Sequence, residues 1–235
     1  KKDVPPLPFT APRTIFNQDI DARRKIILAD LPLKGMKAIG AAVGGTINDA
    51  LIAVCGGALR EYLLQLDELP VESLEAGLPV SIKGAGQSDG NEVGFLFCPF
   101  YTDERDPLKR LKRIVKVTAR AKQDYQGMSK TAAQDFTNAL MVPTMLATLT
   151  GNATRIRPAL NAIVSNVPGS SQRLYLDGAM LEKLYPLSVV SDGMGLNFTV
   201  ISYHGTLCLG MTSCPLGQPG IENLGKLLKL SYQEL

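Results

Sequence analysis

The stretch Leu196-Asn-Phe-Thr-Val-Ile-Ser-Tyr-His-Gly-Thr-Leu-Cys-Leu-Gly-Met-Thr212 decides the fold class, because two apolar runs flank the dipeptide His204-Gly205. Runs of β-branched and aromatic residues on either side of a two-residue turn with glycine are typical of a β-hairpin. The pattern predicts strands over residues 196–203 and 207–212. It also places His204 at a turn that projects into solvent rather than into a pocket.

Outward from this hairpin, strand-like and helix-like segments alternate, and there is no internal repeat. Short apolar runs predict further strands. They occupy residues 22–33, 78–83, 93–101, 160–166, 174–176 and 187–190. Helical spacing predicts helices after Asp106-Pro107, over residues 131–149 around Pro143, and over residues 221–230.

The most apolar segment, residues 39–59, contains no Lys, Arg or Glu. Its length would cross a bilayer, but Gly44-Gly45 and Asn48-Asp49 interrupt it, which favours a buried helix. Thr46 and Asp49 have the spacing of a capping box that would start this helix. The mixture of elements predicts an α/β fold in which helices cover an open mixed β-sheet.

Composition indicates a globular protein. The 235 residues are 45% hydrophobic and 20% charged, with a net charge of +3, and so do not predict disorder or general nucleic-acid binding. Four cysteines without a C-x-x-C pair indicate a reducing, cytoplasmic setting. The start lacks both an apolar signal and an initiator Met, so we expect a fragment. Proline-rich residues 1–24 are predicted to be a linker and residues 25–235 a domain.

The inventory of reactive residues excludes most catalytic classes. His204 is the single histidine, and its predicted turn position makes it a poor general base. The sequence has no G-x-S-x-G elbow, no Walker loop and no zinc-type ligand spacing. We therefore assign no catalytic residue, no metal and no permanently bound cofactor to this chain.

Several stretches, in this order and spacing, resemble the bacterial wax ester synthase/acyl-CoA:diacylglycerol acyltransferase family, and its C-terminal half in particular. The resemblance spans nearly the whole chain. The residues that carry it are Phe16-Asn17, Arg23-Arg24, Thr46-Ile-Asn48-Asp49, Gly90-Asn91-Glu-Val-Gly94, Pro99, Thr102-Asp103, Asp106-Pro107, Ser165-Asn166-Val-Pro168-Gly169, Tyr185-Pro186-Leu187-Ser188, Gly193 and Leu196-Asn197.

The resemblance implies one half of a two-domain CoA-dependent acyltransferase-like fold, similar to chloramphenicol acetyltransferase, in which two halves enclose a tunnel. The family's His-His-x-x-x-Asp-Gly motif is absent here. The resemblance places it in an N-terminal half that would be this chain's partner. There it would act as the base when a fatty alcohol or diacylglycerol attacks long-chain acyl-CoA, giving a wax ester or a triacylglycerol. This chain would form one tunnel wall and would be inactive alone.

The resemblance also suggests which polar residues serve the site. Asn48 and Asp49 interrupt an apolar segment, so they either satisfy a structural network or support the active site. The composition of Ser165, Asn166, Pro168 and Gly169 indicates a turn, whereas the family comparison places these residues at the tunnel.

A second group of candidates lies beside the predicted hairpin. Gly193, Gly195 and Asn197 leave room for close approach, so they mark either an acyl-chain path or a bulge in the sheet. The resemblance favours the acyl-chain path.

The helix after Asp106-Pro107 is strongly basic. Its residues Lys109, Arg113 and Lys116 either form an ordinary solvated face or contact a lipid surface or CoA phosphates. Nucleic acid is disfavoured, because no aromatic residues are interleaved with the charges. A second hypothesis therefore remains: a non-catalytic lipid-surface or protein-binding module, peripheral at a membrane or lipid droplet, on an acyltransferase-like scaffold.

Overall fold

The computed structural model describes residues 3–81, 93–127 and 130–235. The described residues form the predicted α/β architecture, with helices flanking a six-stranded mixed sheet. The strands are β1 Lys25–Pro32, β2 Glu75–Ser81, β3 Val93–Pro99, β4 Ala162–Val167, β5 Tyr175–Leu176, β6 Ala179–Met180, β7 Leu196–Tyr203 and β8 Thr206–Ser213. The α-helices are α1 Leu33–Ala42, α2 Ile47–Gln65, α3 Pro107–Gln126, α4 Lys130–Leu149 and α5 Leu224–Gln233, and single 3-10 turns occupy Ile15–Asn17 and Ile221–Asn223.

The hairpin that decides the fold is β7 and β8, in the predicted position. The two strands pair in antiparallel register from Leu196 opposite Ser213 to Tyr203 opposite Thr206. His204 and Gly205 both adopt positive φ, 42° and 83°, as a two-residue hairpin turn with right-handed strand twist requires. The His204 side chain is exposed, so the prediction of a turn residue is confirmed.

The six strands lie in the order β1-β8-β7-β4-β2-β3. The pairs β4/β7 and β2/β4 are parallel and the other three are antiparallel. The pairing of β2 with β4 is short, because only Ala76 with Ala162 and Gly77 with Ile163 are in register. Beyond these residues β2 and β4 continue without pairing, which leaves an opening in the sheet.

The buried helix predicted within residues 39–59 is α2. Its start is the predicted capping box: the Asp49 carboxylate accepts from the Thr46 backbone N–H at 2.6 Å, and the Thr46 hydroxyl accepts from the Asp49 N–H. The preceding residues form α1, which the sequence analysis did not separate. Gly44 breaks the two helices apart with a φ of 70°. Among the described residues no single helix is long and apolar enough to span a membrane, although α1 and α2, bent by 98°, pass the length and composition criteria as a pair.

The strand predicted at residues 187–190 is wrong, because this segment does not pair with the sheet but lies across it. A Cβ atom at Gly210 of β8 would collide with the Pro186 carbonyl oxygen, so glycine permits the crossing. Ser188 and the Thr199 hydroxyl of β7 are 2.9 Å apart. Within residues 187–190 only Val190 is buried, whereas Leu187 and Val189 are 51% and 86% exposed, so this apolar run does not mark a buried strand.

The N-terminal segment before β1 lies partly on the surface and is partly buried. Phe16 is fully buried and stacks on Tyr62 of α2, with ring centroids 6.0 Å apart. The Asn17 side chain bonds the carbonyl oxygens of Leu160 and Gly193 at 3.0 and 2.9 Å. Residues 11–17 therefore join the core, whereas the role of residues 1–24 as a linker between domains stays a prediction.

Candidate functional site

The opening between β2 and β4 forms a cleft of about 540 Å³, counted with its space open to solvent. The start of α2 and one face of α3 close it. It is mostly apolar, with a small group of polar side chains. The lining residues are Asn48, Asp49, Leu51, Ile52, Leu78, Pro79, Val80, Leu96, Phe97, Thr118, Ala121, Lys122, Val164 and Asn166.

Two asparagines that are distant in sequence meet in this cleft. Asn166, near the end of β4, donates from Nδ2 to Oδ1 of Asn48 at 2.7 Å. Its own Oδ1 atom is buried and has no hydrogen-bond partner among the described residues. A buried acceptor without a partner costs free energy, so the pair leaves one unused acceptor beside a mostly apolar cleft.

Asp49 lies beside this pair, but its oxygens are fully used. One oxygen accepts from the N–H and the hydroxyl of Thr46 at 2.6 and 2.7 Å, and the other from the Thr118 hydroxyl at 2.6 Å. The residue is 2% exposed. Its carboxylate therefore links the start of α2 to α3 and holds neighbouring Asn48 at the cleft, instead of accepting a proton from a substrate.

Among the described residues that line the cleft, none is a histidine, a cysteine, a serine or a free carboxylate that could act as a general base or nucleophile. Apart from Asp49, Lys122 is the one titratable residue among the lining residues described. His204 is distant in the fold, at the exposed hairpin turn, where its Nε2 atom accepts from Nε of Arg173 at 3.0 Å. Burial raises the pKa of the Cys55 and Cys98 thiols, which disfavours their reactive thiolates.

Asn166 is the only member of its predicted group that lines the cleft. Side chains alternate along a strand, so Ser165 faces the opposite side of the sheet. Pro168 and Gly169 lie beyond the strand, where the Gly169 N–H donates to the Ser202 hydroxyl at 3.0 Å. The structure therefore places Asn166 with Asn48, and Ser165, Pro168 and Gly169 elsewhere.

The second predicted group lies outside the cleft. The N–H groups of Gly193 and Gly195 donate to the carbonyl oxygens of Gln18 and Phe16, at 3.0 and 2.7 Å. Where a Cβ atom would stand, Gly193 faces the Ala153 carbonyl oxygen at 3.2 Å, and Gly195 faces the Gln218 Nε2 atom at 2.9 Å and the Phe16 carbonyl oxygen at 3.2 Å. Asn197 is buried and accepts from the Thr199 hydroxyl at 2.8 Å. Gly193 also borders a separate apolar groove, so its contact with an acyl chain stays a prediction.

The predicted basic residues of α3 are engaged locally. Arg113 lies 3.9 Å over the Tyr101 ring and binds Asp3 through Nε at 2.9 Å. Lys116 is 3.9 Å from the same carboxylate, and Lys109 is 4.0 Å from Asp106. Burial opposes ionisation of Asp3, but the hydrogen bonds from Arg113 and Tyr101 prevail and lower its pKa.

The cleft also contains a basic residue that the sequence analysis did not select. Lys122 follows Thr118 by four residues, which places both on one face of α3. The bond from Thr118 to Asp49 fixes that face against the cleft. The four-residue spacing of Thr118 and Lys122 is visible in the sequence. It predicts a position at the cleft only when the contact between Asp49 and α3 is also known.

Comparison with solved structures defines the class of protein. The fold matches multi-domain synthetases such as the nonribosomal peptide synthetase FmoA3 (TM-score 0.61, 15% identity, 98% of this chain and 24% of that chain). It also matches the starter condensation domain of rhizomide synthetase RzmA, solved with C8-CoA (TM-score 0.52, 15% identity, 97% and 47%). Likeness at this identity concerns the fold alone. The chain shares this fold with both proteins over nearly its whole length.

Sequence comparison is more specific. The profile of the WS/DGAT C-terminal domain matches residues 89–235, and that of the wax ester synthase/diacylglycerol acyltransferase catalytic domain matches residues 1–51. The chain belongs to the wax ester synthase/diacylglycerol acyltransferase family. The O-acyltransferase WSD of Acinetobacter baylyi is 34% identical over 216 residues, 92% of this chain and 47% of the relative.

Two further relatives agree with this assignment. A Mycobacterium tuberculosis protein named as a diacylglycerol O-acyltransferase is 36% identical over 230 residues, 97% of this chain and 51% of the relative. The solved wax ester synthase/diacylglycerol acyltransferase from Marinobacter aquaeolei VT8 superposes with a TM-score of 0.84 at 33% identity, covering 95% of this chain and 51% of that chain. The chain thus spans about half the length of the relatives it matches and corresponds to the C-terminal domain.

Proposed function

We propose that this chain is the C-terminal half of an O-acyltransferase that moves a long-chain fatty acyl group from acyl-CoA to a fatty alcohol or diacylglycerol. The observation that supports this most directly is the cleft between β2 and β4. Its apolar walls suit alkyl chains, and the Asn48–Asn166 pair supplies a polar contact at one point. The names of the relatives supply the reaction class.

In this reaction the alcohol oxygen attacks the thioester carbonyl carbon, a C–O bond forms and the C–S bond breaks. The hydroxyl proton passes to a base, and the sulfur leaves as the thiol of CoA. Since the cleft has no free base among its described residues, the base would be contributed by the N-terminal half. Acyl-CoA takes part as a substrate. The reaction needs no reagent besides the two substrates and the two halves of the protein.

The amide pair would position a substrate rather than transfer its proton. The unused Asn166 Oδ1 atom can accept a hydrogen bond from the acceptor hydroxyl or from an amide N–H in the arm of CoA. Asp49 fixes the start of α2, and so the amide of Asn48 is held while it contacts Asn166. Pre-organisation of this kind lowers the barrier without acid–base chemistry.

This role is tested with Asn48→Ala and Asn166→Ala in the full two-domain protein. Each substitution should lower kcat/KM for acyl transfer by about tenfold to a hundredfold, because a positioned hydrogen bond is lost. In a double-mutant cycle the two losses should not add, since the amides act as a pair. Asn152→Ala, at the end of α4, is the control. Unchanged kcat/KM in both single variants would refute the role.

Peripheral binding to an anionic lipid surface is a second proposal. Lys109, Lys112 and Lys116 are exposed along one side of α3, a spacing suited to lipid phosphates. The ion pairs of Lys109 and Lys116 with Asp106 and Asp3 reduce the charge that this face offers.

Vesicle flotation tests this second proposal. Binding to phosphatidylglycerol vesicles should weaken in the Lys109→Gln/Lys116→Gln variant, because two of the cations that would contact lipid phosphates are removed. It should persist in the matched Lys34→Gln/Lys37→Gln variant, which removes two exposed lysines of α1. Equal binding by all three proteins, or no binding by any, would exclude this surface as the contact.

A further inference from the structure

The strand β2 carries a proline in the interior of the sheet. It lies between β4 and β3 in the strand order, so both of its edges have a neighbour. Proline has no backbone N–H and interrupts a ladder of hydrogen bonds, which confines it in most sheets to edge strands and bulges. Pro79 therefore stands where a sheet accepts proline only if the strand lacks a partner on one side.

The contacts at the start of β2 show which neighbour Pro79 faces. The Leu74 carbonyl oxygen accepts from the Phe100 N–H at 2.8 Å, on the side of β3. Glu75 faces the other side: its N–H donates to Asn161 Oδ1 at 2.8 Å, and its carbonyl oxygen accepts from the Asn161 N–H at 2.9 Å. Backbone groups alternate between the two neighbours along a strand, so Pro79, four residues further on, faces β4 as Glu75 does.

The two pairings of β2 end at different residues. Its pairing with β3 continues to the last residue of the strand, Ser81. Its pairing with β4 stops at Gly77, although β4 itself stays paired with β7 as far as Val167. After Gly77, Pro79 is the next residue of β2 that faces β4. The ladder thus ends where its next donor would be the nitrogen atom of a proline.

This early end of the ladder shapes the cleft. Paired strands lie about 4.8 Å apart, which leaves no room between them for another chain. The cleft is lined by Leu78, Pro79 and Val80 on the side of β2, and by Val164 and Asn166 on the side of β4. If the ladder continued past residue 79, these two walls would come together and the cleft would narrow at Asn166.

We propose that Pro79 keeps the cleft between β2 and β4 open for a substrate, because it lacks the N–H that the next ladder bond would need. The inference rests on the proposed acyltransferase function and adds a positioning residue to it. Pro79 acts through the spacing of two strands rather than through contact with reacting atoms. An open gap leaves out hydrogen bonds that would stabilise the sheet, so replacement of the proline should change stability and activity in opposite directions.

Two matched substitutions in the full two-domain protein test this role. The Pro79→Val variant can donate to β4, and valine is favoured in strands. Pro99→Val is the control: Pro99 also lies in the sheet, but it faces away from β2, since the N–H of the next residue, Phe100, bonds to Leu74. Both substitutions remove one proline, so their comparison cancels the effect of proline on the unfolded chain.

The Pro79→Val variant should unfold at a higher urea concentration than Pro99→Val. The new N–H at position 79 should exchange with deuterium about a hundredfold more slowly than an unprotected amide. The KM of one substrate, hexadecanoyl-CoA or the fatty alcohol, should rise about fivefold or more with kcat retained, because that substrate must reopen the gap. By linkage, the same substrate should restore fast exchange at position 79, which identifies it as the one that enters the gap.

Fast exchange at position 79 without substrate, or a urea midpoint no higher than that of Pro99→Val, would overturn the role of Pro79 in the sheet. An unchanged KM for both substrates would overturn its role in substrate access. Pro79→Ala and Pro99→Ala give the same comparison if the valine variants do not fold. If the unmodified protein transfers no acyl group, the proposed function fails, whereas the exchange rates and urea midpoints still decide whether Pro79 holds the strands apart.

Discussion

Asp49 is the residue that joins the helix start, the cleft and α3. It receives hydrogen bonds from Thr46 and Thr118 and is buried, so its removal affects more than one contact. We predict that Asp49→Ala lowers the free energy of unfolding by about 2–4 kcal/mol, because a cap is lost and the buried Thr118 hydroxyl keeps only the longer contact to the Val115 carbonyl oxygen, at 3.3 Å.

Urea unfolding of Asp49→Ala and Thr118→Val measures this effect. Thr118→Val removes the donor together with its need for a partner and should cost less than Asp49→Ala. A loss below about 0.5 kcal/mol for Asp49→Ala, in the range of ordinary surface substitutions, would contradict the account.

How far the sequence predicts a residue's role depends on the distance to its partner. Thr46 and Asp49 are three residues apart, so the spacing alone predicts their capping bonds, which the structure confirms. Asn48 and Asn166 are 118 residues apart, and Asp49 and Thr118 are 69 apart. No local period relates such pairs, and they meet only after the sheet has formed.

Glycines illustrate the same limit. Gly193 and Gly195 were expected to leave room for another group, because glycine has no Cβ atom. The groups at the missing side-chain positions are the Ala153 carbonyl at Gly193, and the Gln218 amide and the Phe16 carbonyl at Gly195. A missing side chain predicts contact but carries no information about the chemistry of the neighbour.

At the scale of elements, polar side chains of the segment after β6 bind the edge strand β1. Asp30 of β1 forms an ion pair with Lys183 and accepts from the Tyr185 hydroxyl at 2.8 Å. Burial alone would raise the pKa of Asp30, but these hydrogen bonds outweigh it and lower the pKa. In an unfolded chain the same carboxyl has its ordinary pKa of about 3.9.

This shift predicts a pH dependence of stability. Since the pKa is lower in the folded state, the contact stabilises fully above the ordinary pKa of an aspartate and is lost as the pH falls through the folded value. The unfolding free energy of the unmodified chain should therefore exceed that of Asp30→Asn near pH 6, and the difference should shrink below about pH 4. Chemical unfolding at both pH values tests this, and a difference independent of pH would contradict it.

The element predictions were correct where a local signal existed. The β7–β8 hairpin has its turn dipeptide, and α3 has Asp106 as N-cap before Pro107, with the Lys109 N–H donating to Asp106 at 3.0 Å. Residues 187–190 are as apolar as a strand, but they cover the sheet above Gly210. The Leu187 and Val189 side chains are largely exposed, so a short apolar run alone predicts neither burial nor backbone pairing.

At the scale of the molecule, the sequence predicted an open mixed sheet but not the strand order that creates the site. The cleft exists because β2 and β4 separate after two residue pairs. These pairs are Ala76 with Ala162 and Gly77 with Ile163, and the residues of each pair lie 86 positions apart in the sequence. Parallel pairing across such distances follows from tertiary packing of α2 and α3 rather than from strand patterns. The proposed division of labour between two halves likewise concerns the whole protein and has no counterpart in a local pattern of this chain.

The central claim is that this half shapes and positions while the other half supplies the base. The most direct measurement is acyl transfer from hexadecanoyl-CoA to a fatty alcohol by three purified proteins: this chain alone, the full two-domain protein, and the full protein with His204→Ala. We predict no turnover by the chain alone, turnover by the full protein, and the same kcat/KM in its His204→Ala variant. Turnover by the isolated chain, or loss of turnover in the full protein with His204→Ala, would contradict the account.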